Sequence, residues 1–211
     1  RQGYLRNTAV RETVLTGASG GGIRILDVAP RFPRFGRVYR PPALVRRLEP
    51  VAGRPRIRIR IRPSFGHGSD PGTMTIGSNH VRYRGAEQVL RLTTDAPLTY
   101  VNGEAEFGLD RAINLIIGPD ESVPESPDAV ARQALAETEA YWIDWVRGLN
   151  LPFDWQEPVI RAAITLKLCS FEDTGAIVAA LTTSVPESPG SGRCWDYRFC
   201  WLRDAFFTVG A

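Results

Sequence analysis

The chain has 211 residues, 43% of them hydrophobic and 23% charged, with a net charge of +3. These values are ordinary for a globular protein and argue against disorder over most of the length, and they allow one large domain or two small ones around a real core. No apolar run approaches the roughly 20 residues of a membrane span, and Arg1-Gln2-Gly3-Tyr4 carries no apolar signal core. The positive charge is arginine: Lys167 is the only lysine. Three cysteines, Cys169, Cys194 and Cys200, form no regular disulfide framework, although a single pair among them stays open. His67 and His80 lie far from them in sequence, so no metal site is expected. The chain lacks an initiator Met and stops in mid-pattern at Phe206-Phe207-Thr208-Val209, which leads us to expect a piece of a longer protein. The expected compartment is the cytoplasm.

The first half reads as strands. Ile23–Val28, Ala43–Leu48, Arg56–Arg62, His80–Arg84, Gln88–Thr93, Leu98–Val101 and Arg111–Ile117 are short runs rich in Val, Ile, Leu and Thr, separated by Gly- and Pro-bearing turns. That pattern predicts an antiparallel sandwich. Asn102-Gly103 between two such runs predicts a tight hairpin. Arg56-Ile57-Arg58-Ile59-Arg60-Ile61-Arg62 alternates strictly, so one face is all Ile and the other all Arg. The Arg face suits either a nucleic-acid contact or a solvated sheet face paired to acids on neighbouring strands. The second reading is favoured, because the basic surplus is small and no aromatic stacking pattern accompanies it.

Near residue 120 the texture changes. Gly118 to Pro127 is polar and proline-rich, and reads as a linker. Ser126 and Pro127 are placed as the N-cap and first residue of a helix over Asp128–Arg147. Its apolar stripe is Ala131, Leu135, Thr138, Trp142 and Trp145, and Gly148 closes it. A second helix is expected over Glu157–Phe171. Apolar residues cover more than half its circumference, as in a helix packed on two sides. Ala205 to Ala211 reads as the opening of a third.

The densest chemistry lies between Thr182 and Asp204. Trp195, Tyr197, Phe199 and Trp201 alternate with Asp196, Arg198, Cys200 and Leu202, and Arg203-Asp204 follows. Sugar rings present apolar C–H faces and a rim of hydroxyls. A site for them needs flat aromatic surfaces beside groups that donate and accept in pairs. An Arg-Asp pair at a helix start also has a purely structural reading, as a cap. From the residue types alone, both readings stand.

Three stretches add to this: Thr174-Gly175-Ala176-Ile177-Val178-Ala179-Ala180, Thr182-Thr183-Ser184-Val185-Pro186-Glu187, and Trp195 through Ala205. Together they closely resemble bacterial members of glycoside hydrolase family 15, the glucoamylase-like enzymes that include some trehalases. The resemblance implies a multi-domain α and β chain. An antiparallel β-sandwich over 1–118 would be incomplete at its start, a linker with a helix would cover 119–150, and 151–211 would begin an (α/α)6 barrel, truncated. It implies that Arg203 and Asp204 hold the outer hydroxyls of the non-reducing glucose, and that Tyr197 and Trp201 line the same pocket. Trp195 is the weaker candidate, and Cys200 is expected as a small buried filler.

The family hydrolyses with inversion, using one carboxylic acid and one carboxylate. By the resemblance both are glutamates later in the barrel, so the general acid and base are expected beyond Ala211 and the 211-residue piece is expected to be inactive. Glu157, Glu172 and Glu187 are given no catalytic role, and Glu187 is read as structural. Ser170-Phe171-Glu172-Asp173 and the Gly/Ser-rich Ser188–Gly192 depart from the family pattern. The implied activity is exo-acting release of terminal glucose from an α-glucan, an oligosaccharide or trehalose. No cofactor, nucleic-acid partner or membrane partner is implied. Two other readings are weighed: a non-catalytic carbohydrate-binding β-sandwich with a helical tail, and a basic nucleic-acid-binding domain.

Overall fold

A computed structural model describes residues 1–18, 20–182 and 186–210. Its contacts divide the chain into two compact units, Arg1–Arg147 and Gly148–Ala211. The strands of the first unit are β1 (Gln2–Tyr4), β2 (Arg11–Thr16), β3 (Gly22–Val28), β4 (Phe32–Arg34), β5 (Arg37–Tyr39), β6 (Leu44–Ala52) and β7 (Arg56–Arg58). Then come β8 (Thr73–Ile76), β9 (His80–Arg84), β10 (Val89–Thr94), β11 (Glu106–Gly108) and β12 (Ile113–Pro119). Its helices are α1 (Leu98–Asn102) and α2 (Pro127–Arg147). Eight strands form one antiparallel sheet in the order β1-β2-β3-β6-β12-β10-β9-β8, while β7 pairs with β11 and β4 with β5.

The alternation read in the sequence sorts the two faces of this sheet. Leu48, Val81, Leu92, Ile113 and Leu115 point to one side, where Ile57 and Phe107 of the β7–β11 layer, with Ile59 just past β7, close a buried cluster over them. The antiparallel sandwich is therefore present, with unequal layers. On the other side Leu26, Val28 and Val45 meet Ala131 and Ala134 of α2. Ser126 accepts the backbone N–H of Ala129 at 3.2 Å, so it caps α2 as expected, with Pro127 as the first helical residue. Ala131, Thr138 and Trp142 of the anticipated stripe are buried, joined by Ala134 and Val146 rather than by Leu135 and Trp145.

Three local expectations are corrected. Leu98–Val101 is a helical turn, not a strand: Pro97 accepts the N–H groups of Tyr100 and Val101, Val101 is buried, and Tyr100 stacks on Phe107 at 5.4 Å. Burial and ring packing override the strand preference of the residue types. Gly103 has φ −80°, so Asn102-Gly103 ends that turn instead of forming a tight hairpin. The ladder of Arg56–Arg62 stops at Arg58, because its partner β11 is only three residues long. Ile59 nevertheless stays buried.

Three of the four arginines of that segment are paired with acids, in line with the solvated-face reading. Arg56 bonds Glu106 at 2.5 Å, and Arg60 and Arg62 share Glu104 at 3.0 and 2.6 Å. No helix among the described residues is long and apolar enough to cross a membrane.

The second unit contains α3 (Gln156–Leu168), β13 (Ser170–Phe171), β14 (Ala176–Ile177) and α4 (Leu202–Gly210). Helix α3 ends three residues before the expected Phe171, because the chain turns into the β13–β14 hairpin at Ser170. Ile160 and Ile164 are its buried residues.

Candidate functional site

The candidate residues lie in the second unit, on the chain leading into α4. The hairpin that departs from the family pattern supports them. Gly175 turns at φ +71°, a left-handed value suited to a residue without Cβ, and its N–H bonds Phe171 O at 2.8 Å. Beyond the hairpin, Ala179 and Ala180 donate to the carbonyls of Phe199 and Tyr197 at 3.2 and 2.9 Å. Two of the sequence motifs, Thr174–Ala180 and Trp195–Asp204, are thus laced together through the backbone. Thr183, Ser184 and Val185 of the third motif lie outside the described residues.

Tyr197 and Trp201 stack with ring centroids 6.3 Å apart and planes 26° apart. The Arg203 guanidinium carbon sits 5.6 Å from the Trp201 ring centroid, a cation–π contact. Arg203 Nη2 lies 3.1 Å from Asp204 Oδ2. The geometry is that of an ion pair, not a hydrogen bond: Asp204 Oδ2 is buried, yet it accepts no hydrogen bond among the described residues. Asp204 stands in the first turn of α4, where the helix dipole favours a carboxylate. The four expected residues therefore come together as two linked pairs. They offer a flat aromatic surface, a fork of donors and a carboxylate oxygen with spare acceptor capacity.

Two supports were not anticipated from the sequence. Asp196 holds Arg198 through a bidentate pair, Nε–Oδ1 3.0 Å and Nη2–Oδ2 2.9 Å, and also accepts the Arg198 backbone N–H at 2.9 Å. The bonded Arg198 holds the Asp196 carboxyl below the usual carboxylate range. This clasp spans Tyr197, and the Asp-x-Arg spacing is the signal that carries it. Glu187 Oε1 accepts the Trp195 indole N–H at 2.9 Å, and its other oxygen lies 3.7 Å from Arg193. Trp195 is thereby pinned to a small ladder in which Pro186 pairs with Cys194, and Glu187 has the structural part read for it.

Glu172 pairs with Lys167 at 3.2 Å. Cys200 is exposed, not the buried filler expected, because it lies on an open stretch of chain before α4 where no described element covers it. Cys169 is buried, and burial raises its thiol pKa. All three cysteines are free. No cluster of three or more metal-ligating side chains occurs among the described residues.

Residues 155–211 match glycosyl hydrolases family 15. That matched stretch holds all four candidate residues. Over a wider span the chain is similar to proteins named trehalase. It is 28% identical to that of Thermoplasma volcanium over 166 residues, 74% of this chain and 26% of the relative. It is 40% identical to that of Mycobacterium tuberculosis over 87 residues, 41% and 13% of the two chains. With that of Mycolicibacterium smegmatis it shares 34% over 125 residues, 57% and 19%. The matched part thus spans about a quarter or less of the length of these curated relatives. No solved structure gives a significant match.

Proposed function

We propose that this chain contributes the glucose-holding wall of an inverting, exo-acting α-glucoside hydrolase, with trehalose the leading substrate. The observation that carries the reading is Asp204 Oδ2, buried and accepting no hydrogen bond among the described residues, beside the Arg203 fork. Arg203 balances the charge of that oxygen, whose acceptor capacity is left for a sugar hydroxyl to fill. In this reading Arg203 donates to one outer hydroxyl of the terminal glucose while Asp204 accepts from its neighbour. Trp201 and Tyr197 cover a C–H face of the same ring. Similarity to proteins named trehalase favours trehalose over maltose or isomaltose.

The proposed organisation keeps a sandwich over 1–118, a helical linker over 119–150 and the opening of an (α/α)6 barrel from 151. No acid or base is assigned to Glu157, Glu172 or Glu187, since Glu172 and Glu187 are engaged with Lys167 and Trp195.

The test is proton NMR of trehalose hydrolysis by the full-length protein, read at early times. Inversion of an α-glucoside predicts β-glucose as the first-formed anomer of the attacked ring. Early release of α-glucose alone, or no hydrolysis of any α-glucoside, would contradict the proposal.

A further inference from the structure

The first unit has a cavity of about 300 Å³ whose lining lies wholly within that unit, and no step in the proposed hydrolysis uses it. Its floor is the α2-facing side of the large sheet, including Arg91 and Thr93. One wall carries Phe32 and Tyr39, a tilted ring pair with centroids 5.2 Å apart. Helix α2 contributes Gln133, and Glu121 and Glu125 come from the segment that leads into that helix.

Arg91 is the informative residue. It is buried, with Nε donating to Thr93 at 3.1 Å and Nη1 to Asp120 at 3.4 Å. Nη2 donates to no described residue. A buried guanidinium with donors left over, at the floor of a cavity, is a polar anchor for a guest. The charge around it selects the guest. Asp120 already balances Arg91, and Glu121 and Glu125 face the same space, where Arg34 also lines the wall with its guanidinium carbon 5.3 Å from the Tyr39 ring centroid. The lining therefore carries charges of both signs, and a guest of either sign would meet a like charge. A neutral polyhydroxyl compound can accept from Arg91 and Arg34, donate to the glutamates and pack its C–H groups beside Tyr39. The volume is at the small end for ligand sites, about 300–1,000 Å³, which suits one pyranose ring rather than an oligosaccharide.

We infer that this cavity is a second carbohydrate site, one that holds a single neutral hexopyranose between the sheet, the β4–β5 hairpin and α2. It differs from the Trp195–Asp204 site in every residue and does not depend on the activity proposed for that site.

Saturation-transfer NMR on the 211-residue chain, with glucose and methyl α-glucoside as probes and benzoate as an anionic control, tests it. Tyr39→Ala removes the aromatic face, and Gln133→Trp fills the cavity from an exposed helix position. Wild type and Asp204→Ala should bind the sugars in preference to benzoate. Tyr39→Ala and Gln133→Trp should each weaken sugar binding by about tenfold or more, roughly 1.4 kcal/mol. Thermal melts check that both variants fold, and if one does not, the other decides. Absence of sugar binding, preference for benzoate, or loss of binding in Asp204→Ala with both cavity variants unaffected would each overturn the inference.

Discussion

Arg47 Nη1, on the central strand β6, donates to Asp128 Oδ1 in the first turn of α2 over 2.6 Å. The same nitrogen donates to Asn114 Oδ1 at 2.9 Å, and Arg47 Nε reaches Glu49 at 2.8 Å. Asn114 is fully buried and hands the network on to Asp95, through Nδ2 and its backbone N–H, both at 2.7 Å. A charged chain of contacts thus fixes the start of α2 on the sheet, next to the apolar contacts of Ala131 and Ala134.

Asp128→Ala should destabilise the first unit by about 1–2 kcal/mol. A hydrogen bond to a charged group contributes about 1.5–3 kcal/mol. The figure is discounted because the Asp128 side chain is 39% exposed, and because Arg47 keeps Glu49. The variant also loses the i,i+4 pair with Arg132 at 2.9 Å. Urea unfolding read by far-UV circular dichroism measures the change.

Acid should weaken the same region. The Arg47 hydrogen bond holds the Asp128 carboxyl below its ordinary range, and Arg24 does the same for Glu12. A carboxyl depressed in the folded state stabilises above its unfolded pKa, near about 4, and loses that contribution as pH falls through the folded value. Melting temperature should therefore drop from about pH 4 downward. The drop should be shallower in Asp128→Asn, which removes one of the titrating groups. An equal slope in wild type and variant would remove Asp128 from the explanation.

Gly85→Ala should cost about 1–3 kcal/mol through overpacking. A Cβ built there would meet Phe65 Cγ at 2.5 Å and Cβ at 2.9 Å, and Phe65 belongs to the core under the β7–β11 layer. Gly3→Ala, where nothing lies within 4 Å, is the matched control and should leave stability nearly unchanged. Denaturant midpoints of the two variants decide it.

Much of this was legible because the residues that set it are local. Ser126-Pro127 marks the start of α2 through a cap and a ring that presets φ, and His80–Arg84 is strand as its alternation requires. Other elements depend on distant partners. All four residues of Thr73–Ile76 are exposed, so that edge strand shows no buried face to read. Leu98–Val101 looks like strand by residue type, but it packs Tyr100 on Phe107, which no window around residue 98 reveals. At the candidate site, the residue types of Tyr197, Trp201, Arg203 and Asp204 are visible in one short motif. The Glu187–Trp195 bond and the exposure of Cys200 are not, since both depend on how the loop closes.

The most direct test is kcat/KM on trehalose for Arg203→Ala and Asp204→Ala in the full-length protein, with maltose and isomaltose alongside. Each variant removes a charge-assisted contact of about 1.5–3 kcal/mol that should tighten in the transition state, so each should lose roughly ten- to a hundredfold. Wild-type turnover by both variants on all three sugars would contradict the assignment of this pair to the glucose-holding wall.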